Sequence, residues 1–165
     1  MDRKSLERYL KTHYPSIYSF AFALVPEEVQ ARQIALDALQ LVLNEDKSFS
    51  NDMVFTMPED AERVQQELIS RYFRSVYRLG LKRFDHLKNG IEIKVDRSEG
   101  SFYALGVQER AILFLKSRLK FNLDEIEFIM EVDRYQVLLL LNQSREYLVR
   151  NKEGRSFATL ELIGT

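Results

Sequence analysis

The segment that most constrains the fold is residues 122–148, because its apolar residues fit two short helices joined by a tight turn. Asn122 and Glu125 have capping-box spacing, in which each side chain binds a free backbone amide at the helix start. On the first helix the apolar stripe comprises Leu123, Ile126, Ile129 and Met130. On the second helix the inner face comprises Val137, Leu141, Ser144 and Leu148. This pattern predicts a helix-turn-helix, which in DNA-binding proteins lays its second helix in the major groove.

The rest of the chain also has helical spacing, so the predicted fold class is all-α. A bent first helix is expected to kink near Pro15, and a second helix is expected to start at Pro26 and run to about residue 43. A polar loop over 44–58 precedes a long helix over 59–88. We predict two small helical modules, residues 1–88 and 104–150, joined by a linker over 89–103 and followed by a tail over 151–165.

Composition and motifs narrow the class of protein. The 165 residues are 45% hydrophobic and 30% charged, as in globular domains, and the absence of cysteine excludes disulfides and thiolate metal sites. We expect a cytoplasmic protein without a membrane span, because neither a signal peptide nor a long apolar run occurs. Phosphate-binding loops, zinc spacings and nucleophile motifs are also missing, so neither catalysis, a cofactor nor a metal is expected.

A basic stripe lies on the long helix of the first module. Arg71, Arg74, Arg78 and Lys82 are spaced at i, i+3, i+7 and i+11, with Arg83 beside them. The opposite face is apolar and would pack against the first two helices. One interpretation is a solvated helix face stabilised by pairs such as Glu67 with Arg71. The alternative is a DNA-binding face, with Tyr72 the aromatic ring expected to be most exposed.

Several blocks in this order resemble the extracytoplasmic-function type of bacterial RNA polymerase sigma factor. In the second module, residues 104–113 (ALGVQERAIL) are similar to the family's LPERQRAVLLL, and residues 122–129 (NLDEIEFI) to its LSYEEIAEIL. In the first module, residues 14–24 (YPSIYSFAFAL) and 31–42 (ARQIALDALQLV) resemble its LYRLALRLL and AEDLVQEVFLRL. Residues 74–88 resemble its promoter-melting helix. The resemblance spans roughly residues 6–150.

The resemblance implies two partners, core RNA polymerase and promoter DNA. Polymerase would bind the helix that carries Gln33, Leu36, Asp37 and Gln40, although the family usually has Asp, Gln and Glu at the first three of these positions. The −10 element would meet Arg71, Tyr72, Arg74, Arg78, Lys82 and Arg83. The −35 element would meet Arg134, Tyr135, Gln136, Asn142 and Arg145.

Three leucines depart from the family, which usually has lysine, serine and arginine on the outer side of the recognition helix. Leu138, Leu139 and Leu140 point about 100°, 200° and 300° around the helix from Val137, so they cannot all lie in the core. We expect the apolar tail (residues 157–163), the first module folding back, or a partner to cover them, and the remaining alternative is a more deeply buried helix. The alternative function is therefore a sigma-factor mimic without promoter activity, which binds an anti-sigma factor or another regulator through apolar surfaces.

Overall fold

The computed structural model describes residues 3–45, 58–87 and 100–151. Its helices are α1 (Arg3–Thr12), α2 (Tyr14–Leu24), α3 (Glu28–Glu45), α4 (Pro58–Leu87), α5 (Gly100–Tyr103), α6 (Val107–Leu113), a π-helical segment (Phe114–Arg118), α7 (Leu123–Met130) and α8 (Arg134–Arg150). The described ranges contain no strand, so the predicted all-α fold is confirmed. Within them, no helix has the length and apolar character needed to cross a bilayer.

The helix starts follow local sequence signals. A turn at His13 separates α1 from α2, and Pro15 is the second residue of α2, which confirms the predicted break. The Glu27 carboxylate accepts hydrogen bonds from the amides of Val29 at 3.1 Å and Gln30 at 2.8 Å, so this side chain caps α3. The long helix predicted over 59–88 is α4, which begins at Pro58, whereas α3 begins at Glu28 rather than at the predicted Pro26.

Helix α2 lies at the centre of the molecule and packs against α3, α4, α6 and the π-helical segment. Its Phe20 ring lies 5.5 Å from the ring of Phe73 on α4 and 5.8 Å from that of Phe114, measured between centroids. Phe73 in turn meets Phe121 edge-on at 5.1 Å. Side chains from both predicted modules therefore share one apolar core, and the modules are packed together.

The inner face of α4 approaches α2 closely at Gly80. A Cβ atom at this position would lie 2.6 Å from Cδ1 of Leu24, which is fully buried. Ile69, Phe73 and Val76 on the same face are also buried, as the sequence predicted. This packing fixes which side of α4 faces outward.

Arg110 is a buried cation that joins α6 to the end of α2. Its side chain is 1% exposed, and its guanidinium donates to the carbonyls of Ala23 at 2.7 Å, Leu24 at 2.8 Å and Leu105 at 2.6 Å. The Phe84 ring lies 5.2 Å from its Cζ atom. Burial lowers the pKa of Arg110, and the carbonyl oxygens of the α2 C-terminus compensate its charge.

The last two helices form as their local pattern predicts. The capping box is present, with the Glu125 amide donating to Asn122 at 2.9 Å and the Asn122 amide donating to Glu125 at 2.8 Å. Helix α7 ends at Glu131, whose φ of 57° is left-handed, and Asp133 caps α8 by accepting from the Gln136 amide at 2.8 Å. The predicted inner face of α8 is buried in full.

Candidate nucleic-acid interface

The basic stripe lies on the outer side of α4, opposite the residues that enter the core. Arg78 and Lys82 are exposed, whereas Arg71 and Arg74 are half-buried. The outward orientation predicted from the spacing is thus confirmed, and contact with DNA stays a prediction. Arg71 donates to Glu67 at 2.6 Å, so the expected i,i+4 ion pair forms.

Two arginines of the stripe converge on Glu131, at the end of α7. Arg78 binds this carboxylate with two nitrogen atoms: Nε lies 2.7 Å from Oε2, and Nη2 bonds Oε1. Arg74 Nε lies 3.4 Å from the same Oε1 atom. The hydrogen bond from Arg78 holds the pKa of Glu131 below its ordinary value, so this carboxylate is ionised at neutral pH.

The course of α7 along α4 brings Glu131 to the stripe. Phe128 lies one turn earlier on α7, and its ring centroid is 4.8 Å from Cζ of Arg74. The left-handed backbone at Glu131 then ends the helix with the carboxylate between the two guanidinium groups. Glu131 of the second module therefore occupies part of the basic stripe on α4 of the first module.

The prediction that Tyr72 offers an exposed ring is wrong. Its side chain is fully buried, and its hydroxyl donates to the carbonyl of Ala35 at 2.9 Å. The reason is that α3 packs against this flank of α4, and burial also raises the pKa of the phenol. Phe73 and Tyr77 are buried as well, so core packing accounts for these rings. Tyr72 is not available for stacking on a base.

A cavity of about 300 Å³ lies between α3 and the C-terminal part of α4. Three basic side chains of α4 line it together with one acid and three apolar residues of the two helices. The lining residues are Ile34, Asp37, Leu79, Lys82, Arg83, His86 and Leu87. Asp37 was predicted for polymerase, whereas Lys82 and Arg83 were predicted for DNA, so the structure brings the two predicted sites together.

The predicted polymerase-binding positions lie on one outer side of α3. Gln33, Leu36 and Gln40 are exposed, and Asp37 is half-buried. Gln33 Nε2 donates to Asp37 Oδ1 at 2.7 Å, which engages the acid predicted to meet polymerase. This surface is mixed, with amides beside the exposed aliphatic group of Leu36.

The outer face of α8 carries few groups suited to reading DNA bases. Arg134 is tied to α7 through Asp124 and Glu127, with the Glu127 oxygen at 2.9 Å. The other predicted contacts, Tyr135, Gln136, Asn142 and Arg145, are exposed.

The predicted leucines divide between solvent and partial burial. Leu138 is 44% exposed and Leu139 is 41% exposed, while Leu140 is half-buried. This confirms that the three leucines are not all core. The tail predicted to cover them lies outside the described residues, except for Asn151.

Sequence reasoning missed three residues of this region: Arg110, Phe128 and Glu131. Glu131 fell only within the tight turn predicted between the two helices of residues 122–148, and Arg110 only within a block that resembles the family. One signal was visible: Arg74 and Arg78 are one helical turn apart, and a shared acid would neutralise both. The position of that acid depended on how α7 packs.

Chemically, two converging guanidinium groups suit a carboxylate or a phosphate, because both ligands accept paired N–H donors. The surrounding groups supply charge and hydrogen bonds. No protein-family model matches the chain, and no curated protein matches it.

Proposed function

We propose that the protein is a divergent sigma-factor-like transcription factor that binds core RNA polymerase and promoter DNA. The observation that carries this proposal is the outward basic stripe of α4, a helix whose opposite face is fixed in the core. Such a surface can follow a phosphate backbone without rearrangement of the helix. The order of sequence blocks that resemble the family supplies the second line of support. A cytoplasmic location follows from this role.

Polymerase would bind the outer side of α3, around Gln33, Leu36, Asp37 and Gln40. Val29, one further turn toward the start of α3, is 70% exposed and extends the same side. A mixed surface of this kind fits a protein partner better than a nucleic acid.

Promoter contact would centre on α4 rather than α8. Arg134 is held by two acids of α7, and Leu138 and Leu139 offer no hydrogen bonds to base edges. The −10 element would therefore provide most of the affinity through Arg71, Arg74, Arg78 and Lys82. The −35 element would be contacted weakly.

The test is a pull-down of core polymerase with the full chain, followed by run-off transcription from genomic fragments. The Arg74→Ala/Arg78→Ala variant should still bind polymerase but lose its transcripts. Arg8→Ala/Arg150→Ala is the matched control, because it removes the same charge from exposed positions elsewhere. Equal transcription by wild type and the α4 variant would contradict the proposal.

A second candidate function is a sigma-factor mimic that binds an anti-sigma factor or another regulator. The apolar outer side of α8 favours it, since Tyr135 is 74% exposed one turn before the exposed Leu138 and Leu139. Leu138→Lys should then abolish capture of the regulator, whereas a sigma factor would tolerate this change. Stable binding to core polymerase with new transcripts would exclude the mimic.

A further inference from the structure

We propose that Glu131 is an intramolecular competitor for a phosphate-binding site formed by Arg74 and Arg78. The inference rests on the proposed function, because the ligand would be a backbone phosphate of the nucleic acid that meets α4. In the structure the Glu131 carboxylate takes the place of that phosphate.

The geometry is that of a filled anion site. Arg78 binds both oxygen atoms of Glu131, and Arg74 approaches one of them from the preceding turn of α4. The guanidinium group forms the same paired hydrogen bonds with carboxylates and with phosphates. Two cations that hold one carboxylate are therefore arranged to hold one phosphate.

The exposure of the site permits exchange. The side chains of Arg78 and Glu131 are 52% and 40% exposed, respectively, so solvent and ligands reach both. Ion pairs of this exposure contribute little to stability. Glu131 lies at the end of α7, and rotation of its side chain would release both arginines without detaching the helix.

Arg74 would remain oriented after this release. The Phe128 ring lies 4.8 Å from its Cζ atom, a contact that does not involve Glu131. One of the two cations of the site would thus be oriented before a phosphate arrives. This limits the entropy lost on binding.

Other acids near the stripe have different roles. Asp124 and Glu127 pair with Arg134, and Glu125 binds Gln66, which lies two turns before Arg74 on α4. Glu67 pairs with Arg71, and the charge of Glu45 raises the pKa of Arg78. Among the acids of α7 and its C-terminal end, Glu131 is therefore the one that bonds both Arg74 and Arg78.

The experiment measures binding of the full chain to fluorescein-labelled duplex and single-stranded DNA by anisotropy over a series of salt concentrations. Glu131→Gln should bind about fivefold more tightly than wild type, which corresponds to the loss of one exposed competing ion pair. The slope of log affinity against log salt should stay close to that of wild type, because a phosphate displaces Glu131 in wild type and the number of phosphate contacts is the same. Glu146→Gln is the matched control, because it neutralises an exposed glutamate that pairs with Arg150 on α8.

The Arg74→Gln/Arg78→Gln variant separates the two proposals. Loss of binding in this variant, with Glu131→Gln equal to wild type, would overturn the competitor role and leave the proposed function standing. No binding by wild type or by Glu131→Gln at low salt would overturn both. Tighter binding by Glu131→Gln than by Glu146→Gln would support the inference.

Discussion

Replacement of Arg110 by methionine should produce the largest loss of stability among the substitutions considered. Methionine keeps an unbranched side chain but leaves the carbonyls of Ala23, Leu24 and Leu105 without the guanidinium donor. Each buried acceptor left unpaired costs about 1–3 kcal/mol. Removal of a buried cation and entry of water at the end of α2 offset part of this cost. We therefore expect the free energy of unfolding to fall by about 3 kcal/mol, which is less than the sum of the costs for three unpaired acceptors.

The measurement is urea unfolding followed by circular dichroism, since the chain contains no tryptophan to report by fluorescence. With a slope of about 2 kcal/mol per M, the midpoint should move down by about 1.5 M. Arg110→Lys should lose roughly half as much, because an ammonium group keeps the charge but not the planar set of donors. Arg145→Met, at an exposed position of α8, should stay within about 0.5 kcal/mol of wild type.

Two results would refute this account of Arg110. One is a stability of Arg110→Met within about 1 kcal/mol of wild type, which would mean that the three carbonyls find other partners. The other is an Arg110→Lys protein as stable as wild type, which would show that charge alone matters rather than the guanidinium geometry.

Three further predictions concern single positions in the helices. Gly80→Ala should lower stability by about 1 kcal/mol in urea unfolding, because the clash with Leu24 outweighs the gain in helix propensity. Asn122→Ala removes the cap of α7 and should lower the free energy of unfolding by about 1 kcal/mol in the same assay. Asn122→Ser should retain most of the stabilisation by the cap. Tyr72→Phe should lose about 1 kcal/mol with its hydrogen bond to Ala35, yet leave DNA affinity unchanged in anisotropy measurements. Reduced DNA affinity of the Tyr72→Phe variant would contradict the conclusion that Tyr72 does not contact DNA.

Local signals predicted the local structure well. The capping box at Asn122 and the inner face of α8 depend on residues within two or three helical turns, so spacing alone determines them. Tyr72 was misplaced because it lies at the boundary between the two faces of α4, about 100° from Arg71. The side of such a residue depends on which neighbour packs there, and the sequence does not specify that α3 does.

The missed residues share a different cause. Arg78 and Glu131 are 53 positions apart, and Arg110 and Ala23 are 87 apart. Helical periodicity contains no information about such pairs, because they depend on how the two modules pack against each other. Sequence reasoning therefore located the basic stripe correctly but not the acid that fills part of it.

Arg110 and Glu131 each take part in a contact between the two modules. The chemistry of the two contacts is similar, but one is buried and the other is exposed to solvent. In both, a guanidinium group binds oxygen atoms of the other module, although Arg110 also binds Leu105 of its own module. Arg110 is shielded from water, so no external ligand competes for its donors and the contact joins α6 to α2. The Glu131 contact is open to solvent, so phosphate can compete for the same arginines. Packing of the two modules, to which Arg110 contributes, and occupancy of the basic stripe by Glu131 are consequently separable properties.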